Sequence, residues 1–342
     1  MKSKLLFLLL LLGSSYITAQ TVIENPPFET RQGSIHTISK IELSPTETRL
    51  TIRTVFRPQW WTSLDSLTYI YAPESKKQLY PLRIEGRKFG EQVTTPASGI
   101  IEDDCVITYP PLPEGTTRID WMDDNLNSET NTYGILLVKP QETKEQASLR
   151  KIHGNWQQAD AQNGWDIGIY DSLAIMDNRF WKYDLCRKQG KKFKLNLKDE
   201  TGEQCLLEIT QEKDGNLCIG KNGGKANKYI RAGRPQRNYA ATTAATAPQT
   251  AFFRKDTVHI RGFLDGYSPK LGFTTVLIYT DNHITNEGTP AVVTIHPDGR
   301  FESDFVVNYP GVHHLSMGNN WMTFYIRPGE TLMLYINWED HL

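Results

Sequence analysis

The chain has 342 residues, a formal net charge of −1 and 23% charged residues. Its length predicts two or three domains. Because basic and acidic residues nearly balance, the composition excludes electrostatically driven binding to nucleic acid or to an anionic membrane surface.

Residues 1–19 have the pattern of a secretory signal peptide. Lys2 and Lys4 precede an apolar run over residues 5–12, which is too short to span a bilayer as a helix. Small residues follow, and we expect cleavage between Ala19 and Gln20. Since no other segment is apolar enough to span a membrane, the mature protein is predicted to be periplasmic or extracellular.

Residues 20–140 are predicted to form an immunoglobulin-like β-sandwich. Short segments alternate apolar and polar residues, as half-buried strands do, and Pro- and Gly-containing turns separate them. The segments are Leu50–Phe56, Leu67–Tyr71, Tyr80–Ile84, Val106–Tyr109 and Ile135–Val138. In the segment Leu67–Tyr71 we expect Leu67, Tyr69 and Tyr71 to share one face. Residues 141–151 have almost no apolar content and are predicted to be a linker or a short solvated helix.

Residues 152–230 are predicted to form a β-meander that curls into a small barrel. The clearest pattern is Asn163–Tyr183, where Asp177-Asn178 offers a tight turn. The residues expected on the buried face lie at alternate positions: Trp165, Ile167 and Ile169 before the turn, and Trp181, Tyr183 and Leu185 after it. Further turn dipeptides occur at Gln189-Gly190, Thr201-Gly202, Asp214-Gly215 and Asn222-Gly223. About six strands in this length must curl to bury one face.

Residues 231–250 are rich in Ala and Thr and are predicted to be a flexible linker. Residues 251–342 are predicted to form a C-terminal β-sandwich, which makes the whole protein all-β. Two hairpins are expected there. The first joins Ala291–Ile295 to Phe301–Val307, and the second joins Trp321–Ile326 to Thr331–Asn337 through Arg327-Pro328-Gly329-Glu330.

The four cysteines carry no C-x-x-C redox spacing and no zinc-knuckle spacing. Cys186, Cys205 and Cys218 lie in the middle segment, and an exported chain permits a disulfide between two of them. The other interpretation is that they are small buried hydrophobic residues.

Several segments resemble exported TlpA-like thiol-disulfide oxidoreductases that have long N-terminal extensions. In the middle segment these are GNW at Gly154–Trp156, NGWDIGIYDSLAI, RFWKY and DGNLCIG. In the C-terminal segment, TIHPDGRF and FYIRPGETLMLYIN resemble the DUF4369-type β domain that precedes thioredoxin in that family. The resemblance covers about half of the chain.

This resemblance implies a module set that accompanies thiol-disulfide chemistry. In such proteins a thioredoxin domain with C-x-x-C carries the reaction, and this sequence has no such motif. We therefore carry over no catalytic residue and expect no cofactor.

Trp60, Trp61 and Trp121, with Tyr71, are the candidate contacts for a partner or a sugar. Aromatic rings stack on the C–H faces of sugars, but neighbouring residues on a strand point to opposite faces, so at most one of Trp60 and Trp61 is expected in the core. In the middle segment Trp165, Trp181 and Tyr183 are candidates for lining a barrel cavity, although a small barrel usually fills its own interior.

The clusters of histidine and acidic residues do not predict a site more strongly than the aromatic residues do. His259, His283, His296, His313 and His314 make the last third rich in histidine, but a metal needs three or four ligands that converge. Glu102–Asp104 and Asp123-Asp124 are loop acids without a calcium-loop pattern. No nucleophile, Walker or dinucleotide motif occurs. We therefore predict no metal site and no catalytic residue.

Three hypotheses follow. The first is a non-catalytic exported module that binds or positions a protein or glycan of the cell envelope. The second is a fragment of a thiol-disulfide oxidoreductase whose thioredoxin domain is missing. The third is a carbohydrate-binding protein that uses the aromatic residues of the first domain.

Overall fold

The computed structural model describes residues 21–124, 130–138, 143–160, 165–233, 253–282, 285 and 287–342. The signal peptide, the 234–250 part of the predicted linker and His283 lie outside these residues. Most described residues are in strands, which confirms the all-β class. The helices are short: α1 Lys144–Leu149, α2 Trp338–His341 and 3₁₀ turns at Arg150–Ile152 and Pro269–Leu271. No helix within the described ranges is long and apolar enough to cross a membrane.

The described chain divides into two compact units. One takes the described residues of Met1–Lys139 together with Gly266–Leu271 and Trp338–Leu342. The other takes those of Pro140–Asp265 and Gly272–Asn337. The division into three domains with the boundaries given above stays a prediction.

The first unit is a β-sandwich. Its strands are β1 Thr21–Glu24, β2 Thr30–Arg31, β3 His36–Leu43, β4 Thr48–Thr54, β5 Trp61–Thr62, β6 Tyr69–Ala72, β7 Lys77–Leu79, β8 Arg83–Glu85, β9 Val93–Thr94, β10 Cys105–Tyr109, β11 Arg118–Met122 and β12 Thr132–Leu136. One sheet has the order β1-β3-β4-β10-β8, the other β2-β12-β11-β6-β7, and β5 pairs with β9 separately. Leu50 and Ile107 of the first sheet share a buried core with Ile70 and Trp121 of the second.

Leu67 does not share a face of β6 with Tyr69 and Tyr71, because it lies before the strand. Ile70 and Ala72 are fully buried, whereas Leu67 is 52% exposed. A turn causes the difference, because the Asp65 side chain accepts a hydrogen bond from the backbone N–H of Leu67. The strand therefore begins only at Tyr69, which is itself 6% exposed.

Segments from the end of the chain complete the first unit. The indole N–H of Trp338 donates to the carbonyl of Arg31 at 2.7 Å, and Trp338 is 3% exposed. Glu339 forms an ion pair with Arg31, and Lys270 forms one with Glu29 at 2.9 Å.

In the second unit, the described residues of the range 154–231 form a closed eight-stranded antiparallel barrel. Its strands are β13 Gly154–Gln158, β14 Ile167–Ile169, β15 Leu173–Met176, β16 Arg179–Gln189, β17 Lys192–Lys198, β18 Gln204–Gln211, β19 Leu217–Lys221 and β20 Asn227–Arg231. Each strand pairs with the next, and β13 closes the ring against β20. The barrel confirms the meander, but it has two more strands than the predicted number of about six.

The turn between β15 and β16 confirms the predicted hairpin. Asp177 and Asn178 have φ values of 53° and 55°, as a two-residue type I′ turn requires. A β-bulge then interrupts β16 between Tyr183 and Leu185. Because a bulge shifts the alternation by one residue, Leu185 is exposed instead of buried, and Cys186 packs on the core.

The remaining strands form two sheets. They are β21 Asp256–Asp265, β22 Thr275–Asn282, β23 Glu287–Thr294, β24 Arg300–Val307, β25 Gly311–Met317, β26 Asn320–Ile326 and β27 Thr331–Asn337. The sheets have the orders β24-β21-β27 and β23-β22-β25-β26, and β27 lies parallel to β21. Phe305 of the first sheet contacts His313 of the second, with ring centroids 6.2 Å apart.

Neither predicted C-terminal hairpin pairs its own strands. The turn at residues 296–299 does close, since the N–H of His296 donates to the carbonyl of Arg300 at 2.8 Å. However, β23 pairs with β22 and β24 pairs with β21, so the connection crosses from one sheet to the other. The turn at residues 327–330 does the same, because β26 pairs with β25 and β27 with β21.

Candidate binding surface

Residues 57–60 form a tight turn that places the two neighbouring tryptophans. The N–H of Trp60 donates to the carbonyl of Arg57 at 3.1 Å, and Gln59 has a φ of 63°. Pro58 precedes it, and proline followed by a residue with positive φ is the pattern of a type II turn. Thr95 fixes the turn, because its N–H donates to the carbonyl of Trp60 at 2.8 Å and its hydroxyl to that of Arg57 at 2.6 Å.

Both tryptophans of the pair are exposed. Trp60 is 54% exposed and Trp61 is 56% exposed. Trp60 still belongs to the turn, so the alternation of a strand does not apply to it. Trp61 begins β5, and Thr62 takes the inward position. The pair therefore presents two exposed indoles on the first unit.

Neighbouring side chains hold the ring of Trp60. The Phe56 ring meets it edge-on at a centroid distance of 5.9 Å, and the Arg57 guanidinium lies 5.0 Å from its centroid. The edge-on aromatic ring and the cation over the indole restrict the indole and place a positive charge beside it. We call Phe56, Arg57, Trp60 and Trp61 the tryptophan surface.

A buried histidine lies behind this surface. His36 is 3% exposed, and its ring nitrogens lie 3.1 Å from the Thr54 hydroxyl and 3.0 Å from the Thr62 hydroxyl. Burial lowers the pKa of His36 to about 4, and the positive charge of Arg87 acts in the same direction. The neutral imidazole thus ties β5, and with it Trp61, to the core strands β3 and β4.

Trp121 is not part of the tryptophan surface. It is completely buried in the sandwich core, and its indole N–H donates to the Tyr109 hydroxyl at 2.9 Å. The prediction that it contacts a partner or a sugar is therefore wrong. β11 is an inner strand of its sheet, so a large apolar residue facing inward there packs against the opposite sheet.

The aromatic residues of the barrel serve packing. Trp181 is 1% exposed within the barrel core, and its indole N–H donates to the carbonyl of Met176 at 3.1 Å. The Tyr183 hydroxyl lies 2.8 Å from the carbonyl of Tyr170. Trp165 packs on a separate apolar cluster that contains Tyr170.

All four cysteines lie in the described residues, and none of them forms a disulfide there. Burial raises the pKa of Cys105 and of Cys205. A hydrogen bond to the Glu212 carboxylate raises the pKa of the Cys218 thiol. Since the thiolate is the nucleophile, these three cysteines are poorly suited to thiol-disulfide exchange.

The histidines and acids do not form a metal centre in the part of the chain that the structure describes. No group of three or more potential ligands converges there. His313 is buried and His314 is half-buried on β25, as their opposite directions on a strand require. The acidic residue Asp104 accepts a hydrogen bond from Ser39 at 3.1 Å and lies 3.7 Å from Arg53.

Comparison with known proteins identifies no family. No family model matches the chain, and no curated protein matches it. A pullulanase from Bacillus acidopullulyticus gives a TM-score of 0.17 at 9% identity, over 87% of this chain. The chain spans 34% of the pullulanase. A tetra-tandem repeat from the extending region of a large adhesion protein gives a TM-score of 0.12 at 8% identity, over 83% of this chain and 70% of the repeat. Scores this low establish no common fold.

Arg57 and His36 are not among the residues that the sequence predicts to contact a partner or a sugar. The RPQW run at Arg57–Trp60 has proline at the second position of a turn, as the recognised RPGE turn has. That signal places Trp60 outside a strand. His36 gave no comparable signal, because its partners come from residues 18 and 26 positions away.

Proposed function

We propose that this protein is a non-catalytic exported module that binds or positions a protein of the cell envelope, and that the tryptophan surface is its contact site. The resemblance to the N-terminal modules of TlpA-like proteins is part of this proposal. The observation that carries it is the pair of half-exposed tryptophans with an arginine over the ring of one of them.

Burial of these indoles by a partner would be strongly favourable. Half exposure leaves on the order of 100 Å² of each tryptophan side chain accessible. At about 25 cal/mol per Å², covering that area contributes about 2.5 kcal/mol per tryptophan. Trp and Arg are also the residue types that dominate the binding energy of protein interfaces.

The surroundings favour a protein over a sugar at this surface. One face of the Trp60 ring carries the Arg57 guanidinium, so that face is not free to stack on a pyranose. Arginine beside an aromatic ring instead offers a bidentate donor for a carboxylate of a protein partner. The buried and disfavoured thiolates agree with a role that does not involve thiol chemistry.

The test compares four forms of the full chain: wild type, Trp60→Ala, Trp61→Ala and Leu82→Ala. Leu82 is the matched control, because it is a 61% exposed apolar residue of the same unit that lies outside the tryptophan surface. Proteins retained from the cell envelope of the source organism are quantified by mass spectrometry. The affinity of each recovered protein is then measured with purified components.

We expect a partner that wild type and Leu82→Ala bind equally. Each tryptophan variant should bind it about 30-fold more weakly, which corresponds to about 2 kcal/mol. Equal binding by all four forms would contradict the proposal. So would glycan-array binding that disappears in Trp61→Ala, since it would make the ligand a sugar. Insulin reduction by the purified chain would contradict the non-catalytic part.

A further inference from the structure

The outer face of the four-stranded sheet carries a second set of exposed aromatic residues. Strand register places Ser316 opposite Trp321, and His314 opposite both Tyr279 and Thr323. These residues alternate with inward ones such as Ile278 and Leu315, which are fully buried. We call Tyr279, His314, Ser316, Trp321, Thr323 and Tyr325 the aromatic sheet face.

The rings of this face are open and arranged as a platform. Trp321 is 58% exposed and Tyr325 is 53% exposed. Tyr279 reaches across β25 to Trp321, where the two rings stack with centroids 5.1 Å apart and an interplanar angle of 27°. Ser316 lies beneath them at 7% exposure. The stack makes two side chains into one continuous flat apolar area.

The chemistry of the face matches a neutral, hydroxyl-rich ligand. None of its six residues is Asp, Glu, Lys or Arg; Arg327 lies over the Tyr325 ring at one end, and Asp281 follows Tyr279 two positions further along β22. Ring faces attract the slightly positive C–H groups of a sugar through the aromatic quadrupole. The hydroxyl group of Thr323 can exchange hydrogen bonds with sugar hydroxyls. A polyanion would find no matching charge across the face.

The size of the face favours a narrow ligand over a second protein. The three strands β22, β25 and β26 span two strand spacings, about 10 Å, and the five residues from Trp321 to Tyr325 span about 14 Å. That footprint of about 140 Å² is well below the ~800 Å² that each partner buries in a standard protein interface. A single glycan strand laid over stacked rings fits it.

We infer that the aromatic sheet face is a binding site for a neutral glycan chain. The glycan lies across β22, β25 and β26, stacks on Tyr279 and Trp321, and extends towards Tyr325. The site goes beyond the proposed function, since it uses other residues, another unit of the chain and another class of ligand than the tryptophan surface.

The experiment is affinity gel electrophoresis of the full chain in gels that contain a soluble polysaccharide. The neutral probes are pullulan, a mixed-linkage β-glucan and a galactomannan, and the anionic probe is polygalacturonate. The variants are Trp321→Ala and Tyr279→Ala. The matched control is Val306→Ala, which removes a 49% exposed apolar side chain from the other sheet. Circular dichroism confirms that each variant is folded.

We expect at least one neutral polysaccharide to retard wild type, Val306→Ala and Trp61→Ala alike. Trp321→Ala and Tyr279→Ala should bind at least tenfold more weakly, and polygalacturonate should not retard any form. Retention of Trp61→Ala separates this site from the tryptophan surface, so the two proposals fail independently. The inference is overturned if no neutral probe retards the wild type, or if Trp321→Ala is retarded equally. It is also overturned if sedimentation shows a dimer that Trp321→Ala dissociates, because a second copy would then cover the face.

Discussion

Acidification is predicted to destabilise the first unit through His36. The imidazole is buried behind the tryptophan surface, and its pKa is lowered to about 4 by burial and by Arg87. In the unfolded chain the same group has a pKa near 6.5. Between these two values the unfolded state binds a proton that the folded state does not. The contribution of the neutral His36 to the free energy of unfolding is therefore fully present above about pH 6.5, and it is lost as the pH decreases towards 4.

The magnitude follows from the two pKa values. At pH 5 the unfolded histidine is almost fully protonated and the folded one is largely neutral, which costs about 2 kcal/mol relative to pH 7.5. The His36→Gln variant replaces the imidazole with an amide that takes up no proton in this pH range. We expect the free energy of unfolding of this variant to lose the pH dependence that comes from His36, whatever its value at neutral pH.

The assay is urea unfolding of wild type and His36→Gln at pH 7.5 and pH 5, with His296→Gln as the control for an exposed histidine. The free energy lost on acidification should be about 2 kcal/mol smaller in His36→Gln than in the other two forms. An NMR titration of the His36 ring protons should give a midpoint near 4 in the folded protein. A midpoint near 6.5, or an equal loss of stability in all three forms, would refute the reasoning.

Two further predictions concern the cores. Gly262→Ala should lower the free energy of unfolding by at least about 2 kcal/mol, because an added Cβ would overlap the Phe301 ring. The control is Gly233→Ala, whose added Cβ would meet nothing within 4 Å. Equal melting temperatures of the two variants would contradict the packing described. Trp121→Phe should cost about 2–3 kcal/mol in urea unfolding, because it opens a cavity and removes the hydrogen bond to Tyr109. A loss below about 0.5 kcal/mol, the usual effect of a surface substitution, would contradict the buried position of Trp121.

The barrel shows what local sequence can predict. The strands before and after Asp177-Asn178 pair with each other. Recognition of the turn was therefore enough to predict the hairpin. The number of strands was underestimated because the closing pair, Trp156 opposite Arg231, joins residues far apart in the chain. No turn signal marks such a pair. A bulge within β16 likewise leaves no dipeptide signature, which explains the misplaced Leu185.

The C-terminal sheets show where local patterns mislead. His296–Gly299 has the composition of a hairpin turn and forms a turn, yet its flanking strands join different sheets. The partner of each strand depends on side-chain packing across the whole unit. Parallel pairing of β27 with β21 is a long-range choice that no local run of residues encodes.

The candidate site was predicted in part. Trp60 and Trp61 are predicted as contacts because they are neighbouring tryptophans. Only the turn at residues 57–60 explains why both are exposed. Trp121 carries the same side chain and is buried, because its strand lies inside a sheet. The residue type thus suggests that a tryptophan can bind a ligand. Its position within the sheets decides whether the side chain is exposed and able to do so.

The most direct test of the binding role is site-specific photo-crosslinking in the source organism. A photoreactive p-benzoylphenylalanine is placed at position 61 or, as a control, at position 82 of the full chain. We predict a discrete crosslinked adduct with one envelope protein from position 61 and none from position 82. No adduct from position 61, or the same adducts from both positions, would contradict the account.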